Sequence, residues 1–349
     1  MEGLAELSSV FFCYTAAMKS PIAILGAGNM ASALALNLAR HKRPIRLYCI
    51  ESDVEEDLRK NRCNAKYLAG YRFPRHVTAT SDLAAVLAEA EDVFVAVPSY
   101  AVVEVVKRAR PFFSKRIKSI ASITKGLDPK TLKPLAMSEA DALPPALRRK
   151  ICTLGGPAIA TEMAKGSPTG FVIAGRDRPT ITRVKKLLET KTVKCATSLD
   201  LLGVGLASAL KNSYAIALGL CDGLNYPTNA KAIVLTLAIE EMERVVVNAG
   251  GHTDTATGLA GLGDLIATGM SPHGRNRTYG ERLVGATSKR PTDLGLGTVE
   301  GITATALAVR LARRLKTKTP LLDAIDRCLR SRQNFERPFV QYIKQLTLA

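Results

Sequence analysis

The sequence predicts an α/β protein, a doubly wound and mainly parallel sheet followed by an all-helical domain. Three observations carry this. A short apolar run at residues 21–25 opens directly onto a glycine-rich turn. Strand-like and helix-like runs then alternate as far as Thr197, the pattern of βαβ units with a parallel sheet. Beyond Thr197 the strand-like runs stop and long helix-forming stretches take over.

Residues 21–25, Pro-Ile-Ala-Ile-Leu, read as a buried strand. Gly26-Ala27-Gly28-Asn29-Met30-Ala31 follows as a turn, and residues 32–40 have helical spacing. Residues 45–50 form a second strand, closed by Glu51-Ser52-Asp53. Further strands are expected at 92–97, 117–123, 151–154 and 170–173, with helices at 81–90 and 102–110 between some of them. The later helices are placed at 203–220, 230–249, 301–315 and 321–332. Residues 257–265, rich in glycine, read as a tight loop between helices, and 291–297 as another loop. The domain boundary falls near Leu202. Residues 20–202 form the sheet domain, residues 203–349 the helical domain, and residues 1–19 a disordered tail.

With 349 residues the chain is long enough for two domains with full cores. A formal net charge of +18 admits nucleic acid, an anionic membrane surface or a small anionic substrate as partner. The basic residues are spread along the chain, aromatics make up only 5 % and Trp is missing, which speaks against a stacking platform for single strands. Seven cysteines without a CxxC pair suit a reducing compartment, hence a cytoplasmic protein. The four histidines lack metal-ligand spacing, so no metal is expected. No apolar run reaches the roughly 18–20 residues that span a bilayer. The apolar patch at 7–14 follows Glu2 and Glu6, the wrong charge for a secretory signal, and Met18 is an alternative start.

Lys211 stands out. It is one ammonium in the apolar helical run 203–220, where an isolated buried charge costs several kcal/mol unless compensated. It snorkels to water, pairs with an acid or does chemistry. Gly26-x-Gly28-x-x-Ala31, preceded by a strand and followed by a helix, fits the dinucleotide fingerprint of a Rossmann-type domain. Gly26 permits the turn, Gly28 lets a pyrophosphate reach the backbone, and Ala31 lets helix and strand pack closely. Glu51 follows the second strand, where an acid accepts from adenosine ribose hydroxyls and, with Asp53, repels a 2′-phosphate. That favours NAD; a solvated acid opening a helix is the other reading. Lys125 lies at the carboxyl end of a strand, where ligands collect, or is an ordinary loop lysine. Asp264 is an acid in an apolar loop or a helix N-cap. Arg275 and Asn276 offer a clamp for phosphate or belong to a solvated basic loop.

Together these residues form a pattern. The chain resembles the NAD(P)-dependent glycerol-3-phosphate dehydrogenases from about Ile22 to about Asn334. The resemblance rests on the glycine turn, Asn61-Arg62-Cys63-Asn64-Ala65-Lys66-Tyr67-Leu68, Val97-Pro98-Ser99, Thr124-Lys125-Gly126-Leu127, Gly155-Gly156-Pro157, Ala209-Leu210-Lys211-Asn212, Gly261-Leu262-Gly263-Asp264-Leu265, Arg275-Asn276-Arg277 and Val299-Glu300-Gly301. It implies a site between the two domains, a small phosphorylated substrate, NAD as cofactor with NADP as the alternative, and a homodimer with no role for nucleic acid or membrane insertion. It implies Lys211 as proton acceptor, with Lys125 and Asp264 also catalytic. Lys125, Gly156, Asn212, Asp264, Thr268, Arg275 and Asn276 would contact substrate. Gly26, Gly28, Asn29, Met30, Ala31, Glu51, Pro98, Lys125, Ala160, Arg275 and Glu300 would contact cofactor. The chain departs from the pattern at Ala158, Met30, Gly274, Asn225-Tyr226-Pro227-Thr228 and Thr236-Leu237-Ala238. Two rival readings follow: a sister dehydrogenase for another small phosphorylated polyol or hydroxy acid, and a non-catalytic nucleotide sensor.

Overall fold

The computed structural model describes residues 19–272 and 274–347. The expected tail, apart from Lys19, lies outside them. Eight strands form one sheet in the order β3-β2-β1-β4-β5-β6-β7-β8. They are β1 (Ile22–Leu25), β2 (Ile45–Tyr48), β3 (Val77–Thr80), β4 (Asp92–Val95), β5 (Ser119–Ser122), β6 (Ile151–Gly155), β7 (Thr169–Gly175) and β8 (Val193–Ser198). β1 pairs in parallel with both β2 and β4, so strand order reverses around it. In open α/β sheets ligands bind at the carboxyl ends of the strands where the order reverses. β1 is buried throughout. Ile22 and Ile24 join one core while Ala23 and Leu25 join the other, because successive side chains alternate between faces. The sheet is parallel from β3 to β6; β7 then runs antiparallel to β6, and β8 follows β7.

Around the sheet lie α1 (Asn29–Leu38), α2 (Ser52–Lys60), α3 (Ala65–Leu68), α4 (Leu83–Leu87), α5 (Val102–Ala109), α6 (Leu135–Ala142), α7 (Ala160–Ala164) and α8 (Arg178–Leu188). Sequence reasoning missed β3 and β8. The helical part comprises α9 (Leu201–Gly223), α10 (Thr228–Asn248), α11 (Thr253–Thr257), α12 (Asp264–Met270), α13 (Arg275–Leu283), α14 (Glu300–Arg314), α15 (Pro320–Arg330) and α16 (Arg337–Lys344). The expected tight loop at 257–265 is a correction: Leu259–Gly263 winds as one wide helical turn that runs straight into α12.

α9 is the hub of the helical part. By length and composition it could cross a membrane, contrary to the expectation that no run is long and apolar enough; 94 % of its apolar window is nevertheless buried inside the protein. Its sequence is apolar all round, which suits a helix surrounded by others. α9 and α13 cross with backbones nearly touching. A Cβ on Gly219 would stand 1.9 Å from the Arg277 carbonyl oxygen, and one on Gly280 would stand 2.1 Å from that of Ile216. This crossing brings the start of α13 against the middle of α9.

Candidate active site

Lys211 lies mid-way along α9 with only 9 % of its side chain exposed, so it does not snorkel into bulk water. Its ammonium donates to Thr268 Oγ1 at 2.5 Å and lies 3.1 Å from Asp264 Oδ1. Asp264 and Thr268 are one turn apart on α12, hence on one face. Asp264 does not cap its helix; it turns inward and also accepts from Lys125 Nζ at 2.5 Å. Lys125 follows β5 and donates as well to the Gly156 carbonyl at 3.4 Å. Gly156 follows β6 and has φ +110, with no room for a side chain because a Cβ would meet the Gly170 oxygen at 2.7 Å. One buried carboxylate thus joins a lysine of the sheet domain to a lysine of the helical domain.

Burial pushes the Lys211 amine down to about 8. Asp264 opposes this and the neighbouring Lys125 charge adds to it, with Glu300 a further upward influence. Burial works against ionisation of Asp264, yet Lys125 and Lys211 hold its carboxyl below the usual aspartate range. The result is an amine poised near neutrality beside a fixed anion.

Beside Lys211, Asn212 is buried and accepts from Asn276 Nδ2 at 3.0 Å, while Asn276 Oδ1 accepts from the Gly301 amide at 2.9 Å. Arg275 is exposed at the first position of α13, and Glu300 opens α14. The structure therefore gathers Lys125, Gly156, Lys211, Asp264 and Thr268 through direct contacts, with Asn212 next to Lys211 along α9 and Asn276 of α13 bonded to Asn212.

The residues at the glycine turn fit a dinucleotide. Gly26 has φ +123, and a Cβ there would stand 2.5 Å from the Ala96 oxygen, so the turn packs tightly against the end of β4. A Cβ on Gly28 would meet nothing within 4 Å, leaving open space in front of the α1 N-terminus. Free backbone amides there are suited to a pyrophosphate. Asn29 and Pro98 are exposed, Met30 and Ala160 half-buried, and Ala31 is buried against the sheet. Glu51 is no part of the Lys125–Asp264–Lys211 cluster. It neither caps α2 nor lies free in solvent, since Tyr67 and Lys66 both donate to its carboxylate. Sequence reasoning also missed Asn64. This fully buried amide donates to the Ala27 carbonyl at 2.8 Å and to Ser32 Oγ at 2.9 Å, tying α3 to the glycine turn. In the sequence Asn64 stands only as part of the 61–68 motif, with no role of its own.

The sequence profile described as the NAD-dependent glycerol-3-phosphate dehydrogenase N-terminus matches residues 21–180, and the corresponding C-terminus profile matches residues 200–339. A glycerol-3-phosphate dehydrogenase [NAD(P)+] from Coxiella burnetii is 35 % identical over 314 residues, covering 89 % of this chain and 92 % of that protein. The chain belongs to the NAD-dependent glycerol-3-phosphate dehydrogenase family. A relative of the same name from Chlorobium limicola is 34 % identical over 305 residues, 87 % of this chain and 91 % of its own length. The solved glycerol-3-phosphate dehydrogenase of Coxiella burnetii superposes with a TM-score of 0.86 at 33 % identity, covering 94 % of this chain and all of that one.

Proposed function

We propose that this protein is an NAD(P)-dependent glycerol-3-phosphate dehydrogenase, interconverting dihydroxyacetone phosphate and sn-glycerol 3-phosphate. The observation that carries it is the Lys211–Asp264–Lys125 cluster, with Lys125 at the same carboxyl edge of the sheet as the open glycine turn, in a chain of this family. Gly26, Gly28, Asn29, Met30 and Ala31 would hold the pyrophosphate end of the cofactor, with Glu51 at its ribose and Pro98, Lys125, Ala160, Arg275 and Glu300 along the rest. When bound, the nicotinamide supplies the acceptor or donor of hydride.

The chain's own part is to position substrate and move a proton. Arg275 and Asn276 would bind the phosphate, the first by charge and the second by a buried amide already oriented by Asn212 and Gly301. In alcohol oxidation the neutral Lys211 amine takes the hydroxyl proton; in carbonyl reduction its ammonium donates one. Asp264 keeps both lysines aimed at one point, and Lys125 keeps Lys211 from binding its proton too firmly. Ala158, lacking a polar group, leaves this task to the remaining contacts. On the same reading the enzyme works in the cytoplasm as a homodimer; six free thiols among the described residues suit the first, and sedimentation tests the second.

The direct test is NADH and NADPH oxidation with dihydroxyacetone phosphate, for wild type and Lys211→Met. Turnover in the wild type, reduced about 10²- to 10⁴-fold in the variant, is expected. Tight nicotinamide binding without turnover in the wild type would support a sensor instead, and turnover only with another phosphorylated polyol or a hydroxy acid would support a sister dehydrogenase.

A further inference from the structure

The acid at the end of β2 does not stand alone. Glu51 Oε1 accepts from the Tyr67 hydroxyl at 2.7 Å, and Oε2 accepts from the Lys66 ammonium. The same ammonium lies 3.0 Å from Asp53 Oδ2 and 5.7 Å from the Tyr67 ring centroid. Lys66 and Tyr67 are delivered by α3, a single turn of four residues too short to hold itself in water. Hydrogen bonds to the glycine turn, α1 and α2, two of them buried, hold it instead. Asn64 donates to Ala27, inside the glycine turn, and to Ser32, and its Oδ1 accepts from the Tyr67 amide at 3.3 Å. Asp57 accepts from the Ala65 amide at 2.9 Å. The position of Lys66 relative to the glycine turn is thereby set by the fold.

Two carboxylates and one ammonium leave a net charge of −1 at this corner. Without Lys66 it would be −2, and a cofactor 2′-phosphate would meet two unopposed anions. We propose that Lys66 is a cofactor-specificity residue, which offsets Glu51 and Asp53 and offers a cation to a 2′-phosphate, so that this chain accepts NADPH as well as NADH. The proposal rests on the reading above that the adenosine ribose lies at Glu51. The side chain suits the task. It is 48 % exposed, carries three rotatable donors on a flexible stem, and can leave Asp53 for an incoming phosphate. Tyr67 keeps its own hold on Glu51 when Lys66 moves, so the carboxylate stays available to the 2′-hydroxyl of NADH. Lys66 thus offsets the repulsion that Glu51 and Asp53 exert on a 2′-phosphate.

The test is titration of the cofactor-free protein with NADPH and with NADH, followed by nicotinamide fluorescence, for wild type, Lys66→Met, Lys66→Arg and Glu51→Gln. Lys66→Met is expected to weaken NADPH binding about five- to tenfold while NADH changes less than about twofold, and Lys66→Arg to restore NADPH binding. Glu51→Gln is expected to shift preference toward NADPH. If Lys66→Met leaves the NADPH-to-NADH ratio unchanged while Glu51→Gln shifts it, the role of Lys66 is overturned and the cofactor placement stands. If Glu51→Gln alters neither affinity, the placement itself is wrong and the proposal falls with it. Lys66 and Glu51 are partly exposed, and unchanged melting temperatures exclude misfolding as the cause.

Discussion

Lys211 was legible in the sequence because a charge in an unbroken apolar helix demands a partner. Its partner was not legible from the residues alone; only the family resemblance grouped Asp264 with it. Asp264 begins a helix after glycines, where an acid reads equally well as a cap, and only the fold turns it toward two lysines. Asn276 was similarly ambiguous until α13 packed across α9. The arrangement makes Asp264→Asn informative, because it leaves two ammonium groups facing each other without their anion. A loss of about 3–5 kcal/mol in urea titration near neutral pH is expected. The loss should shrink at higher pH, since Lys211, lowered by burial and without the upward pull of Asp264, sheds the unpaired charge more readily than in the wild type. An equal loss at both pH values would mean that the carboxylate acts through packing alone.

Elements with strongly apolar runs were predicted within a few residues, as β1, β4 and β6 show. β3 and β8 were missed because they are the two edges of the sheet, and each leaves residues partly or fully exposed. The wide turn before α12 was read as a loop because glycine lowers helix propensity, which packing overrode. The glycine turn gives a paired test of element against ligand. Gly26→Ala should lower stability by about 1–3 kcal/mol, since its backbone and its neighbour Ala96 both reject a Cβ. Gly28→Ala should leave the melting temperature unchanged but weaken NADH binding by about an order of magnitude, because its Cβ enters the open space before α1. Buried Glu139 on α6, whose Oε1 accepts from Ser122 at 2.8 Å, is pushed by burial up to about 8. Its folded pKa lies above its unfolded value, so the native state holds a proton the unfolded chain has lost. Stability from this group is therefore full below the unfolded pKa and falls as pH rises toward about 8. Glu139→Gln should flatten that decline in melting temperature.

At the scale of the whole molecule, alternation of apolar runs was enough to give the doubly wound sheet, but not the reversal at β7, which no local pattern marks. The site draws on both halves of the chain, joined by Asp264 between Lys125 and Lys211, residues too distant in sequence for spacing to reveal their contact. The net charge of +18, spread over the chain, is better matched to steering a small dianion than to gripping a duplex. Accordingly kcat/KM for dihydroxyacetone phosphate should fall several-fold between about 20 and 300 mM salt, while kcat changes little. The central claim is that a buried amine of lowered pKa exchanges the proton. The most direct measurement is the pH dependence of kcat/KM for sn-glycerol 3-phosphate oxidation. It should rise with pH through a midpoint of about 8 as Lys211 becomes neutral, and the midpoint should move upward in Lys125→Ala, which removes a neighbouring cation. A flat profile, or the same rise at an undiminished rate in Lys211→Met, would contradict it.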